Sequence, residues 1–424
     1  MSLNSRKIAV VGYNRIPFAR HNTNYANASN QDMMLAAMGG LIERNKLQGL
    51  RLGEVAGGAV IKHSREFNLM RECVLGSSLD PTTPACDIQQ ACDTGIEAAV
   101  YIGNKIATGQ IEVGIAGGVD SVSQVPIVLS ESLRKSLLEV RRAKTFGEKL
   151  GKFLKIRFKD LTPVAPGIDE PRSGLSMGGH TEITAQYYGI SREEQDAFAL
   201  SSHQKMSKAY DEGFFNDMLT PYLGLTRDNN VRKDTSMEKL AKLKPAFNRI
   251  NGTLTAGNST PFTDGASCVL LASEDWAHEH GLPVLAYITF AEVAAIEYVK
   301  DRQNLLLAPV YASTRMLKKA GLTLQDFDFY ENLYCTDGID VGLNFLLVKC
   351  IKIFIIRKSH KMMQIYLTFS VHGLKIFVIF YFFPKGWKSE LSSGRKASEY
   401  IIMMNIIYKD TNIETLHMRL YRFN

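Results

Sequence analysis

No two cysteines in this sequence stand as Cys-x-x-Cys, and none falls in a cysteine–histidine cluster with zinc spacing. The six present, Cys73, Cys86, Cys92, Cys268, Cys335 and Cys350, therefore argue against a metal site or a disulfide framework. They fit a reducing compartment, and the expected location is cytoplasmic. Neither a charged-then-apolar leader nor an arginine-rich amphipathic one precedes the first strand-like run, Lys7-Ile-Ala-Val-Val-Gly12, so no targeting peptide is expected. Basic charge is also missing where a nucleic-acid partner would need it. The net charge is +7, but residues 332–424 hold 13 Lys+Arg against 6 Asp+Glu, which accounts for the whole surplus and leaves residues 1–331 balanced.

Alanine locates a break. It is frequent up to residue 331 and occurs once afterwards, at Ala397, where isoleucine and phenylalanine take over in runs such as Ile351-Lys-Ile-Phe-Ile-Ile356. No sustained helical or strand period runs through this tail, and turn residues are few. Three readings stand side by side: sequence read through a frameshift or other junction with no evolved fold, a membrane-associating segment, or an extra domain. For the second, residues 365–383 come close to the ~20 residues that span a bilayer, with His372 and Lys375 inside them.

Up to residue 331, strands and helices alternate, which gives an α/β fold, and the length suffices for two or more domains. Met34, Ala37, Met38, Leu41 and Ile42 share one helical face. Residues 55–61 read as a strand, and so does Ile111-Glu-Val-Gly-Ile-Ala116, ending in Gly117-Gly118. Ser191-Arg-Glu-Glu194 is a capping box that opens a helix running to about Gly213. Gly49-Leu-Arg-Leu-Gly-Glu-Val55 is echoed by Gly321-Leu-Thr-Leu-Gln-Asp-Phe327, each after a helical stretch and before a strand, which suggests a duplicated half. Residues 126–250 are richer in loops and charge. Within them residues 134–159 carry ten Lys/Arg interleaved with Leu138, Phe146, Leu150, Phe153 and Leu154. This stretch reads as an amphipathic surface helix with a solvated basic face, as a contact for the phosphates of a ligand such as coenzyme A, or as a contact for an anionic membrane.

The chemistry centres on Gln90-Ala-Cys-Asp-Thr-Gly-Ile-Glu-Ala-Ala99. Cys92 falls between a strand and a helix opened by Asp93, Thr94 and Gly95. The partial positive charge of a helix N-terminus favours the thiolate, the nucleophilic form, while apolar surroundings and Asp93 oppose it. From the segment alone, a small buried thiol that packs a strand end is the better reading. Cys86 lacks the helix start and reads as packing.

The run resembles the nucleophilic-cysteine motif of the thiolase family, C-[AS]-[ST]-G. Further segments are similar to that family in its own order: Ala116-Gly-Gly-Val-Asp-Ser-Val-Ser123, Ser176-Met-Gly178 with residues 188–200, Gly252-Thr-Leu-Thr-Ala-Gly-Asn-Ser-Thr260 with Asp264-Gly-Ala266, and residues 308–331. The resemblance spans residues 7–331. It implies a thiolase-like layered α-β-α-β-α fold of two duplicated halves with an inserted loop domain, the second half truncated. The implied layout is residues 1–125 and 251–275 for the first half, 126–250 for the loop domain, 276–331 for the start of the second half, and 332–424 for an unrelated tail.

The implied activity is acyl-CoA C-acyltransfer, with Cys92 attacking a 3-ketoacyl-CoA and holding the acyl group as a thioester. Met177 would line the acyl pocket and Thr260 would lie near the pantetheine arm, with plain packing open for both. Coenzyme A enters as a substrate, no cofactor is bound permanently, and acyl-CoA and CoA are the partners of a homo-oligomer. Asp264-Gly265 reads as a turn, and His180 as a surface-loop residue without a role. The family's later motifs, N/H-E-A-F-A, G-G-x-A-x-G-H-P-x-G and C-x-G-G-G, do not occur in residues 332–424, so neither the family's catalytic histidine nor its second cysteine is found. Little turnover is expected, because base, acid and oxyanion donors belong to those motifs. The alternatives are a non-catalytic acyl-CoA or CoA-binding protein, and a protein that associates with membranes through its apolar tail.

Overall fold

The computed structural model describes residues 5–91, 93–164, 167–323 and Asp326, with the backbone of two further strands near the C-terminal end. In chain order the first elements are β1 Ile8–Arg15, β2 Ala19–Arg20, α1 Asn30–Arg44, β3 Glu54–Gly58, α2 Leu69–Gly76, β4 Ala85–Asp87, α3 Thr94–Ala107 and β5 Val113–Asp120. An excursion then carries α4 Glu131–Arg142, α5 Phe146–Phe153, the short β6 Asp169–Glu170 and β7 Leu175–Ser176, α6 Met177–Tyr188, α7 Arg192–Asp211 and α8 Met237–Ala241. The chain rejoins as β8 Thr263–Ser273, α9 Glu274–Glu279, β9 Ala286–Ile288 and α10 Ala308–Ala320.

The central sheet runs β4-β3-β5-β8-β1-β9, with β2 paired to β8. β3 is parallel to β4 and β5, while β8 lies antiparallel to both β5 and β1. The mixed α/β architecture follows the sequence pattern: β1, β5 and β8 are buried almost throughout, as strands covered on both faces must be. β8 is the keystone, since the chain leaves the sheet after Asp120 and returns, opposite it, at Gly265. Helix α1 presents Met34, Ala37, Met38, Leu41 and Ile42 to the core, as its spacing predicts. Its N-cap Ser29 and Asp32 exchange hydrogen bonds, and Ser191 and Glu194 do the same for α7.

Several local expectations change. β5 does not stop at Gly117-Gly118 but continues to Asp120. Asp264 and Gly265 are strand residues of β8 rather than a turn. The buried Asp264 carboxylate accepts from Val122 N (2.7 Å), Ser123 N (3.0 Å) and Ser123 Oγ, an arrangement that a solvent-facing turn would not supply. The basic stretch 134–159 is not one helix. It breaks at Ala143, which is extended, and Thr145 with Glu148 caps a second helix. Part of the proposed spanning segment 365–383 forms two antiparallel strands, Met363–Val371 and Leu374–Phe382, in keeping with its β-branched and aromatic content. The rest of the tail lies outside the described residues. Among those residues no helix is long and apolar enough to cross a membrane.

His180 is buried on α6, not on a surface loop. Its Nδ1 lies 2.9 Å from the Arg302 carbonyl and its Nε2 2.6 Å from Ser173 Oγ. The carbonyl can only accept, so Nδ1 carries the proton and Nε2 accepts from the hydroxyl. Burial pushes the imidazole pKa down, and the neutral ring ties α6 to the chain at Arg302.

The excursion is held to the sheet by an ion pair of which both side chains are about 1% exposed. Arg15 Nη1 and Nη2 reach the two oxygens of Asp228 at 2.7 and 3.2 Å, and Asp228 also accepts from Phe18 N at 2.7 Å. Burial opposes the guanidinium charge, yet Asp228 and Tyr210 overcome it and raise the pKa. Removing one partner strands a buried charge. Asp228→Asn is therefore expected to lower stability by about 3–5 kcal/mol in urea unfolding, and a change within error would contradict this role.

His180 gives a second test. Its folded pKa lies below the unfolded value, so as pH falls through roughly 6.5 the unfolded chain takes up a proton that the folded chain refuses, and stability drops. In His180→Gln this contribution to the slope should vanish, which thermal melts across that range would read as a shallower pH dependence.

Candidate active site

Cys92 itself lies outside the described residues, but the chain on either side of it is defined. Ala91 adopts φ +44°, a left-handed conformation that costs energy for a residue with a Cβ. The turn is closed on itself: Asp93 N donates to Gln90 O (3.0 Å), Thr94 Oγ1 donates to Ala91 O (2.5 Å), and Gln90 N donates to Thr94 Oγ1 (3.0 Å). α3 starts at Thr94, directly after the buried Asp93. The turn from Ala91 to Asp93 therefore leads directly into the N-terminal end of a fourteen-residue helix, where the partial positive charge of the helix is greatest.

Close backbone approach supports this turn from below. A Cβ on Gly58 would come within 2.3 Å of Ile88 O and 3.1 Å of the Thr94 methyl, so only glycine lets β3 pass there. Ahead of the turn, Asp87 accepts from Lys62 Nζ (2.9 Å), Leu69 N (3.1 Å) and Met70 N (2.9 Å), which anchors β4. Of the other cysteines, Cys73 and Cys268 are buried and their pKa values are pushed up by burial. Cys86 is partly buried, and burial raises it too.

Met177 is the first residue of α6, after the N-cap Ser176, whose Oγ accepts from Gly179 N at 3.1 Å. It is buried in one cluster with Leu305 and Leu306, against which Val60, Tyr298 and Ala91 pack. Met177 thus belongs to the cluster on which the residue preceding Cys92 packs. Thr260 is not in that cluster. It lines a cavity of about 380 Å³ together with Phe247, whose ring sits so close to Gly178 that a Cβ there would meet it at 2.3 Å.

Met206, Phe247, Pro261 and Phe262 supply the cavity's apolar surface, and Arg20, His21, His203 and Arg232 its basic groups. His21 Nδ1 and Ser259 Oγ are shielded from solvent there without a hydrogen-bond partner among the described residues. None of the basic residues in 134–159 lines this cavity, so the phosphate-contact reading of that stretch finds no support here. The sequence reading missed Arg20, His21 and Arg232, which come from two segments far apart in the chain. No spacing rule joins them, because it is the buried Arg15–Asp228 pair that does.

The cavity wall is braced by buried hydrogen bonds. Glu182 on α6 accepts from Thr253 N (2.7 Å), Thr253 Oγ1 (2.9 Å) and Leu254 N (3.1 Å). Asn258 accepts from Thr255 N (2.6 Å) and donates to Asp196 of α7 (2.8 Å). Among the described residues no group of histidine, cysteine and carboxylate side chains could hold a metal ion.

The family description "Thiolase, N-terminal domain" matches residues 8–275. Over 331 residues the chain is 39% identical to a 3-ketoacyl-CoA thiolase of Yersinia enterocolitica and 40% identical to one of Serratia proteamaculans, in both cases covering 77% of this chain and 75% of the relative. Among solved structures, human mitochondrial 3-ketoacyl-CoA thiolase is similar with a TM-score of 0.66 and 28% identity, over 80% of this chain and 82% of that one. The same human enzyme has been solved in complex with CoA. A Bacillus anthracis acetyl-CoA acetyltransferase shares the fold with a TM-score of 0.71 at 24% identity, over 90% of this chain and all of that one. With its motifs, its mixed α/β sheet and these matches in agreement, the chain belongs to the thiolase family of acyltransferases.

Proposed function

We propose that this chain is built for acyl transfer between 3-ketoacyl-CoA and coenzyme A, with Cys92 as the acyl carrier, in the degradative direction of fatty-acid β-oxidation or the reverse condensation. The observation that carries this reading is the left-handed turn at Ala91, which runs into the N-terminal end of α3 beside Met177. The Cys92 thiolate would attack the 3-keto carbon. The C2–C3 bond then breaks, its electron pair is protonated on the leaving carbon to give acetyl-CoA, and the acyl group stays on sulfur until a second CoA thiolate displaces it.

Met177 would bound the acyl side. The cavity that Thr260 lines has a shape and polarity suited to a pantetheine arm, with Arg20 and Arg232 for the phosphates. Acyl-CoA and CoA are then the small-molecule partners, and self-association accompanies the reading. Residues 126–250 supply much of that wall as an inserted loop domain.

Proton transfer limits this chain. In the family, the base that activates the nucleophile and the second cysteine belong to motifs that residues 332–424 do not carry. A thiol without a base remains mostly protonated at neutral pH if its pKa stays near ~8.5. Loss of a single oxyanion donor typically costs about 10²–10³ in rate. Acylation is then slow and release slower.

Incubation of the full chain with acetoacetyl-CoA should leave an acetyl adduct on Cys92 by intact-mass and peptide analysis, absent in Cys92→Ser, with steady-state turnover at least roughly 10²-fold below that of the Serratia proteamaculans relative. Rapid turnover would remove the claim of limited activity. Saturable CoA binding with no adduct would replace acyl transfer by a non-catalytic binding role.

The cavity assignment is tested separately by calorimetry with two ligands. Arg20→Ala together with Arg232→Ala should weaken coenzyme A about tenfold and leave pantetheine, which lacks the phosphates, unaffected. Equal losses for both ligands would rule the arginines out as phosphate contacts.

A further inference from the structure

The excursion carries a surface that acyl transfer does not use. Helix α5 buries none of its residues. Phe146, Leu150 and Phe153 fall at i, i+4 and i+7, on one face, and Phe146 is 80% exposed. Leu154 and Phe158 continue the apolar surface beyond the helix, Phe158 at 91% exposed, and Leu137 on α4 is exposed as well. An isolated apolar residue at a surface needs no explanation, but a contiguous row of large ones does.

Charge surrounds that row. Residues 134–159 hold ten Lys/Arg against two acids, Glu139 and Glu148. Arg134 and Lys135 pair with Glu131, and Arg157 with Asp160. Arg141, Arg142, Lys144, Lys149, Lys155 and Lys159 form no ion pair among the described residues and are all exposed.

We propose that the face built by α4 and α5 docks on a bilayer surface that carries anionic lipid. A second copy of the same face would bring like charges together, which disfavours a homotypic contact. On the function proposed above, coenzyme A has its place in a cavity that none of these residues lines. An anionic membrane offers both required complements in one partner: headgroup charge for the unpaired cations, and an acyl boundary into which phenylalanine and leucine insert while lysine stems lie flat. Two helices of twelve and eight residues lie in the interface and do not cross it.

The test is co-sedimentation of the full chain with vesicles of phosphatidylcholine alone and of phosphatidylcholine with an equal share of phosphatidylglycerol. Binding is expected only to the second, and it should fall as salt is added. The triple variant Phe146→Ser, Phe153→Ser, Phe158→Ser should bind such vesicles at least roughly tenfold more weakly, as should Lys149→Glu with Lys155→Glu. These positions are exposed, and unchanged coenzyme A binding and near-ultraviolet circular dichroism would report an intact fold.

Every variant retains residues 332–424, so undiminished binding by the variants would overturn the proposal and assign attachment to the tail. No binding by the unmodified chain would also overturn it. Self-association that the triple variant abolishes, without vesicle binding, would replace the membrane by a protein contact.

Discussion

The ion pair between Arg15 and Asp228 is the constraint on which the rest of the candidate site depends. Arg15 ends the first strand of the central sheet, and Asp228 belongs to an excursion that leaves the sheet more than a hundred residues later. The pair is dry, and its charge is contained by two-point contact, by Phe18 N and by the rings of Phe18 and Phe215. A buried pair of this kind is weak evidence of net stabilisation, because desolvation consumes much of the attraction. Its value is positional. Next to it Asn229 N donates to Phe18 O (3.0 Å) and Arg20 N to Asn229 Oδ1 (2.6 Å), which fixes residues 18–21 against 228–230. An apolar replacement of equal volume could match the packing, but Phe18 N would then lose its acceptor and the cavity wall its register.

The same economy explains why the family-like motifs look as they do. Asp120 accepts from Ile61 N, and Asn30 joins Ser121 to Ile61, so the run from Ala116 to Ser123 fixes the loop that brings Val60 onto the cluster of Met177, Leu305 and Leu306. Asp264 holds the other end of that run, and Glu182 holds Thr253 and Leu254. These carboxylates act on backbone N–H groups, not on substrate. Each satisfies donors that a buried loop would otherwise leave unpaired. Replacing them would loosen the walls of the cavity without touching its lining.

How much of this was legible in the sequence depended on whether the decisive interactions were local. Helix α1, the capping box at Ser191 and the buried strands were readable, since periodicity and caps involve neighbours in the chain. The echoed glycines, Gly49 and Gly321, both prove to be left-handed, a likeness that the echo itself did not announce. Asp264-Gly265 misled because Asp-Gly is a common turn signature, and nothing local announces three donors arriving from residues 122 and 123. His180 misled for a similar reason: its partners are Ser173 and the carbonyl of residue 302. The break at Ala143 was local and could have been read, because Thr145 with Glu148 is the same capping pattern recognised at Ser191.

Acylation and release make different demands on a site of this kind, and that difference bears on what the first half of a thiolase can do. Attack by the cysteine needs a thiolate and a bound thioester substrate. On the function proposed above, the N-terminal end of α3 and the hydrogen-bonded cavity wall would contribute to both, and each comes from residues before 273. Departure of the carbanion needs a proton at the right carbon, and release needs a second thiol to be deprotonated. Those tasks fall to groups that move protons, which in the family lie in its later motifs. On that reading, binding and nucleophile positioning would be separable from turnover, with the division where the sequence changes character. A protein with the first set and without the second would hold acyl-CoA, react with it slowly, and retain the product.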